Sequence, residues 1–110
     1  MFTAPIELEA KPGPVTIRQI QTVIAGYFAL TRAEIVGKQR ARHVSFPRMV
    51  GYFLAGRLTK KSLPEIGRAF GGRDHTTVLS GKRKMAGLVD TDPTIRELIE
   101  WLERRLDNGE

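Results

Sequence analysis

Residues Gly71 to Leu79 read GGRDHTTVL, gathering an arginine, an acid, an imidazole and two hydroxyls between a glycine pair and an apolar pair. Each of the four polar residues from Asp74 to Thr77 can read a base edge. Asp accepts from a cytosine amine, neutral His donates to or accepts from purine edges, and Thr offers a hydroxyl and a methyl that fits against a thymine methyl. Short side chains suit the start of a helix that must approach bases closely, and the free amides there favour a nearby phosphate. A plainer reading makes Asp74 and Thr76 helix caps and His75 a surface histidine; spacing alone leaves both open. Other chemistries have less behind them. His43 and His75 are the only histidines and have no spaced partner acid, so no metal site is expected. The chain contains no cysteine, which excludes thiolate zinc sites, thiol nucleophiles and disulfides. Asp74, His75 and Ser80 do not amount to a triad, and neither enzymatic activity nor a cofactor is expected.

The elements that would position this stretch are helices. Thr16 and Gln19 form a capping box ahead of Ile17, Ile20, Ile24, Tyr27 and Phe28, predicting an amphipathic helix that ends near Leu30. Thr31 and Glu34 open a short second helix that Gly37 can close. KQRARHVSF alternates bases without an apolar period and reads as a loop, after which Pro47 suits a first helical turn and Val50, Phe53, Leu54 and Leu58 supply a buried stripe. Ser62 and Glu65, with Pro64 between them, start a helix carrying Leu63, Ile66 and Phe70 that Gly71 and Gly72 stop. Asp74 is placed to cap a helix through Val78 and Leu79. Asp92 and Pro93 begin a last helix with Ile95, Leu98, Ile99, Leu102 and Leu106. A short helix, a tight glycine turn and a polar helix start form the pattern of a helix-turn-helix. Trp101 is expected in the core of the last helix, the alternative being a surface for a protein partner beside Glu97, Glu100 and Glu103.

Charge agrees with a polyanionic partner. The net +6 is unevenly spread: residues 32–48 carry five Lys or Arg against Glu34, and residues 57–84 carry eight against Glu65 and Asp74. Residues 85–110 reverse the sign, with three bases against seven acids, so a polyanion should meet the middle of the chain. RNA is the less favoured polyanion, because Phe46 is the only aromatic interleaved with the bases. No apolar run approaches a membrane span and the start lacks a signal-peptide pattern, so a cytoplasmic, nucleoid-associated protein is expected. A chain of 110 residues fits one domain: residues 1–14 read as a tail, with Pro5, Pro12, Gly13 and Pro14, and residues 15–110 as the domain.

SLPEIGRAFGGRDHTTVL at Ser62–Leu79 and KQRARHVSFPR at Lys38–Arg48 resemble the C-terminal DNA-binding domain, domain IV, of the bacterial replication initiator DnaA, over about Val15 to Met85. The resemblance implies an all-α, six-helix domain with a Trp-repressor-like helix-turn-helix that binds double-stranded DNA at the DnaA box, a nine-base-pair element resembling TTATCCACA. It implies base contacts from Arg40 in the minor groove, from Arg48, and from Asp74, His75, Thr76 and Thr77 in the major groove. An arginine in a narrow A·T minor groove reads shape as well as charge. Backbone contacts are implied for Arg42 and for Leu63 and Pro64 at a helix start, while charge alone suggests Lys60, Lys61, Arg68, Arg73 and Lys82. Gln39, Met49, Ser80 and Gly81 depart from the family pattern, and Gly81 is expected to soften the recognition helix by about 1 kcal/mol. No Gly-x-x-x-x-Gly-Lys-Ser/Thr loop is present, so no nucleotide is expected. Met1 and the tail favour a free-standing reader over an excised domain. The alternative function is an adaptor that holds DNA with little sequence preference and recruits a protein through its acidic last helix.

Overall fold

The computed structural model describes residues 14–38 and 42–107. Residues 1–13 of the expected tail, the arm residue Arg40 with its neighbour Gln39, and the side chain of Arg42 lie outside it. The described residues form helices without a strand: α1 Ile17–Tyr27, α2 Arg32–Val36, α3 Arg42–Leu58, α4 Leu63–Ala69, α5 His75–Thr91 and α6 Pro93–Asp107.

Three helix starts are closed by reciprocal capping boxes. Thr16 Oγ1 accepts from the Gln19 amide at 3.1 Å while the Thr16 amide donates to Gln19 Oε1 at 2.8 Å. Thr31 with Glu34 and Ser62 with Glu65 repeat the exchange at α2 and α4. At α6 the Asp92 carboxylate accepts from the Thr94 and Ile95 amides at 3.0 and 3.4 Å. The glycine pair after α4 takes φ of 91° and 82°, which an L side chain rarely adopts, and so turns the chain sharply towards α5.

Several boundaries and one burial differ from expectation. α1 ends at Tyr27 because Ala29 enters the left-handed region (φ 58°) and the Leu30 amide returns to the Ala25 carbonyl at 2.8 Å, closing the helix where Gly is the usual choice. α3 begins at Arg42, so half of the expected loop is helical and Pro47 lies inside the helix. The fully buried Val44 belongs to the same face as the buried Arg48 and Gly51, a buried period that the alternating bases hide. Trp101 is 39% exposed and Tyr27 is 50% exposed. The rings pack against each other at 5.4 Å, at the edge of the core, with the Arg105 guanidinium over the indole.

α3 is the spine. Val44, Val50, Leu54 and Ala55 are fully buried, and the helix packs most extensively on α5 and then on α1. Ile20 and Ile24 of α1, Ile35 of α2, Ile66 and Phe70 beside α4, Met85 of α5, and Ile99 and Leu102 of α6 complete the core. Full burial of one such side chain contributes about 1.5–3 kcal/mol. Gln21, the buried polar residue of α1, is satisfied on both sides: it donates to the Ala69 carbonyl and accepts from Arg32 Nε, each at 2.9 Å. Arg57 of α3 pairs with Glu103 of α6 at 3.3 Å.

Gly81 is a site of close packing between α3 and α5. A Cβ there would fall 2.7 Å from Tyr52 Cδ2 and 3.3 Å from Met49 Cγ, and the Tyr52 ring is buried. The glycine therefore serves close packing. Gly87, further along the same helix, has nothing within 4 Å of such a Cβ. The same substitution should act with opposite sign at the two positions. Gly87→Ala gains about 0.5–1 kcal/mol from helix propensity. Gly81→Ala loses about 1–3 kcal/mol, because overpacking outweighs that gain. Urea unfolding of both variants checks the pair, and a stabilised Gly81→Ala would show that the helices separate freely.

Candidate nucleic-acid interface

The turn between α4 and α5 is held by backbone bonds: the Gly72 and Arg73 amides donate to the Gly67 carbonyl at 3.0 and 2.8 Å. From that anchor α5 starts with its first residues turned to solvent. Asp74, His75, Thr76 and Thr77 are all exposed, while Val78, next in line, is fully buried and fixes the helix to the core.

Asp74 occupies the N-cap position of α5, but its carboxylate makes no capping bond to the helix amides. It accepts instead from the Thr76 hydroxyl at 2.6 Å and lies 3.2 Å from His75 Nδ1. The Thr76 hydroxyl, followed by His75, holds this carboxyl below the usual carboxylate range. With Nδ1 turned to Asp74, Nε2 is the ring atom left to meet a ligand. Asp74, His75 and Thr76 thus form a bonded surface cluster, and three of its members come preoriented.

The exposed start of α5 borders an open groove against α3. Thr76, Thr77, Ser80 and Lys84 line it from α5, Ser45, Met49 and Tyr52 from α3, and Lys38 from the start of the basic loop. Lys38, Ser45, Ser80 and Lys84 were not among the DNA contacts expected from the sequence. The signal was present for two of them: 76, 77, 80 and 84 share one helical face, visible once α5 is continued through Gly81 to Thr91.

Other expected site residues lie elsewhere. Lys60, Lys61 and Arg68 line a second groove with Pro14 to Ile17 and Glu65. At the start of α4, Pro64 has no amide to give and the Glu65 amide is taken by Ser62 Oγ at 3.2 Å, so of the first three positions only Leu63 can offer one to a phosphate. Lys82 lies across Gly56 of α3.

Arg48, expected at a base, is 5% exposed and borders the groove. Its Nε donates to the Ile35 carbonyl at 2.7 Å and its Nη2 to the Glu34 and Gly37 carbonyls at 2.9 and 2.8 Å. Arg73 also turns inward, donating from Nη2 to the Gly37 carbonyl at 2.5 Å. Burial first and the Arg73 charge second lower the Arg48 pKa. Burial pushes the Tyr52 hydroxyl up, and the charge and hydrogen bond of Arg73 pull it back. The two arginines serve the end of α2 and also border the groove, their guanidinium groups engaged by its carbonyls.

No group of three ligating side chains able to hold a metal occurs among the described residues, nor does a helix long and apolar enough to cross a membrane. Residues 17–85 match the family of the bacterial dnaA protein helix-turn-helix. The chain is 44% identical over 97 residues to the chromosomal replication initiator protein DnaA of Rhodopseudomonas palustris, covering 88% of this chain and 21% of that protein. With the DnaA of Nitrobacter hamburgensis it shares 45% identity over 96 residues, 87% of this chain and 20% of the relative. It thus spans about a fifth of the length of the curated relatives it matches. A crystal structure of a DNA replication initiation factor superposes with a TM-score of 0.75 at 28% identity, covering 84% of this chain and 28% of the other. The matched segment contains α1 to α4, the glycine turn and the exposed start of α5, and the chain belongs to the bacterial DnaA helix-turn-helix family.

Proposed function

We propose that this chain binds duplex DNA at DnaA-box-like sites, with the start of α5 in the major groove and Arg40 of the basic loop in the minor groove. The observation that carries the reading is the exposed, internally bonded cluster of Asp74, His75 and Thr76, with Thr77 beside it, at the free end of a helix anchored by Val78. On this reading α5 supplies base identity and the arm supplies affinity and A·T preference. Lys60, Lys61, Arg68, Lys82 and Arg42 contribute phosphate contacts, as does the Leu63 amide, with Lys38 and Lys84 added by their place on the groove. Arg48 and Arg73 also border this groove, with guanidinium donors engaged by the Ile35, Glu34 and Gly37 carbonyls. The module works without chemistry on its ligand, as a reader linked to replication initiation.

An adaptor with little base preference is the second reading. The exposed Tyr27 and Trp101 rings, beside the acids of α6, are the observation in its favour. Fluorescence anisotropy with a DnaA-box duplex and a scrambled duplex at about 150 mM salt separates the two. A reader favours the box by about 10³ or more, and an adaptor binds both alike.

His75→Ala or Thr76→Ala should cost about 1–3 kcal/mol on the box and little on the scrambled duplex. Equal losses on both duplexes would remove these side chains from base readout. Replacing Lys60 or Lys61 by Ala should weaken both duplexes and lower the slope of log K against log salt by about 0.9 per lost phosphate contact. An unchanged slope would make the two lysines solvated surface.

A further inference from the structure

We infer that Arg73 is a positioning residue that ties Gly37 and Lys38, where the basic loop begins, to the start of α5. The inference rests on the reading that this loop enters a minor groove. Arg73 stands one residue before Asp74, and its amide is fixed to the Gly67 carbonyl at 2.8 Å. Its side chain reaches back 36 residues in sequence to the Gly37 carbonyl at 2.5 Å. Lys38, the next residue, is exposed and lines the groove beside Thr76 and Thr77.

The same carbonyl already receives Arg48 Nη2 at 2.8 Å. Capping Gly37 therefore does not require Arg73, and bringing a second guanidinium to one oxygen sets two cations against each other. What the second arginine adds is a link between elements that the first does not touch. Arg48 joins α2 to α3, whereas Arg73 joins α2 to the turn that launches α5. Gly71 seals the same joint: a Cβ there would overlap the Val36 carbonyl, so turn and helix end meet in backbone contact. The planar guanidinium also neighbours the Tyr52 hydroxyl of α3, two partners that an ammonium point charge does not hold together in one plane.

The test uses the full chain, the variants Arg73→Gln and Arg73→Lys, and three duplexes: an intact box, one with its A·T-rich half replaced by G·C pairs, and one with the other half scrambled. In the wild type both replacements weaken binding. In both variants the penalty for the A·T replacement should shrink by about tenfold or more, equivalent to about 1.4 kcal/mol, while the penalty for scrambling the other half stays. Arg73→Lys should keep the wild-type salt slope. Loss of affinity on all three duplexes alike, with a slope lower by about 0.9 in Arg73→Gln and restored in Arg73→Lys, would overturn the inference and make Arg73 a phosphate contact. Loss of both penalties together, with a lowered Tm, would overturn it in favour of a general role in folding. A wild type that ignores the A·T replacement would instead remove the minor-groove reading beneath it, and the inference with it.

Discussion

The end of α2 is the joint on which the binding surface depends. A helix leaves its last four carbonyls without partners, and a five-residue helix has little else to give up. Here those carbonyls carry the negative end of the helix dipole and are met by fixed cations. Arg48 takes the carbonyls of Glu34, Ile35 and Gly37, Arg73 takes Gly37 again, and Gly71 closes on Val36. Without Arg48 the Ile35 carbonyl would lose its partner in a buried setting, at a cost of about 1–3 kcal/mol, while the Glu34 and Gly37 carbonyls are only part-buried. With these partners, the base of the basic loop, the N-terminal half of α3 and the turn before α5 are held at one point. A short capped helix becomes the fastening between two parts of a recognition surface.

A second constraint operates along α5. Its first turn must stand clear of the domain, yet the helix is steady only if its remainder is well packed. Val78 and Met85 are fully buried, and Gly81 between them lets the Tyr52 ring come against the helix backbone. The helix is therefore clamped immediately behind the residues it exposes. Tyr52 belongs to both arrangements, since its ring edge meets Phe70 at 5.1 Å and its hydroxyl lies beside Arg73. Packing of the crossing and placement of the loop root are physically coupled through that one side chain.

What could be read from the sequence was the chemistry that acts over three or four residues. Thr16, Thr31 and Ser62 each cap with the residue three positions on, and the glycine pair after Phe70 takes the positive φ that a tight turn needs. Identities that depend on distant partners were not legible. Arg48 looks like one more base in a basic run until its three carbonyls are seen, and nothing local distinguishes it from an arginine that faces a phosphate. Gly81 looks like a weak point in a helix until Tyr52 is placed against it. Trp101 follows Leu98 by one turn on α6, but it lies at the edge of the core, where its ring packs against the exposed Tyr27. The start of α3 was hidden for another reason: Pro47 suggested a first turn, whereas the buried Val44 had already begun the helix.

The acid at the tip of α5 bears on how such a surface discriminates. A carboxylate beside a phosphate backbone lowers affinity for any duplex, so Asp74 weakens non-specific binding along with specific binding. Its oxygens are already shared with the Thr76 hydroxyl and the His75 ring, and the positive end of α5 offsets part of its charge. On the proposed reading, the remaining acceptor capacity is satisfied only where a base edge presents a donor, such as the cytosine amine. Elsewhere the charge meets acceptors and repels them. The lysines around the groove act in the opposite sense, attracting every sequence equally. On that same reading, specificity arises because a weak, charge-selective penalty is placed at the helix start proposed to meet bases, inside a field that otherwise makes all DNA attractive.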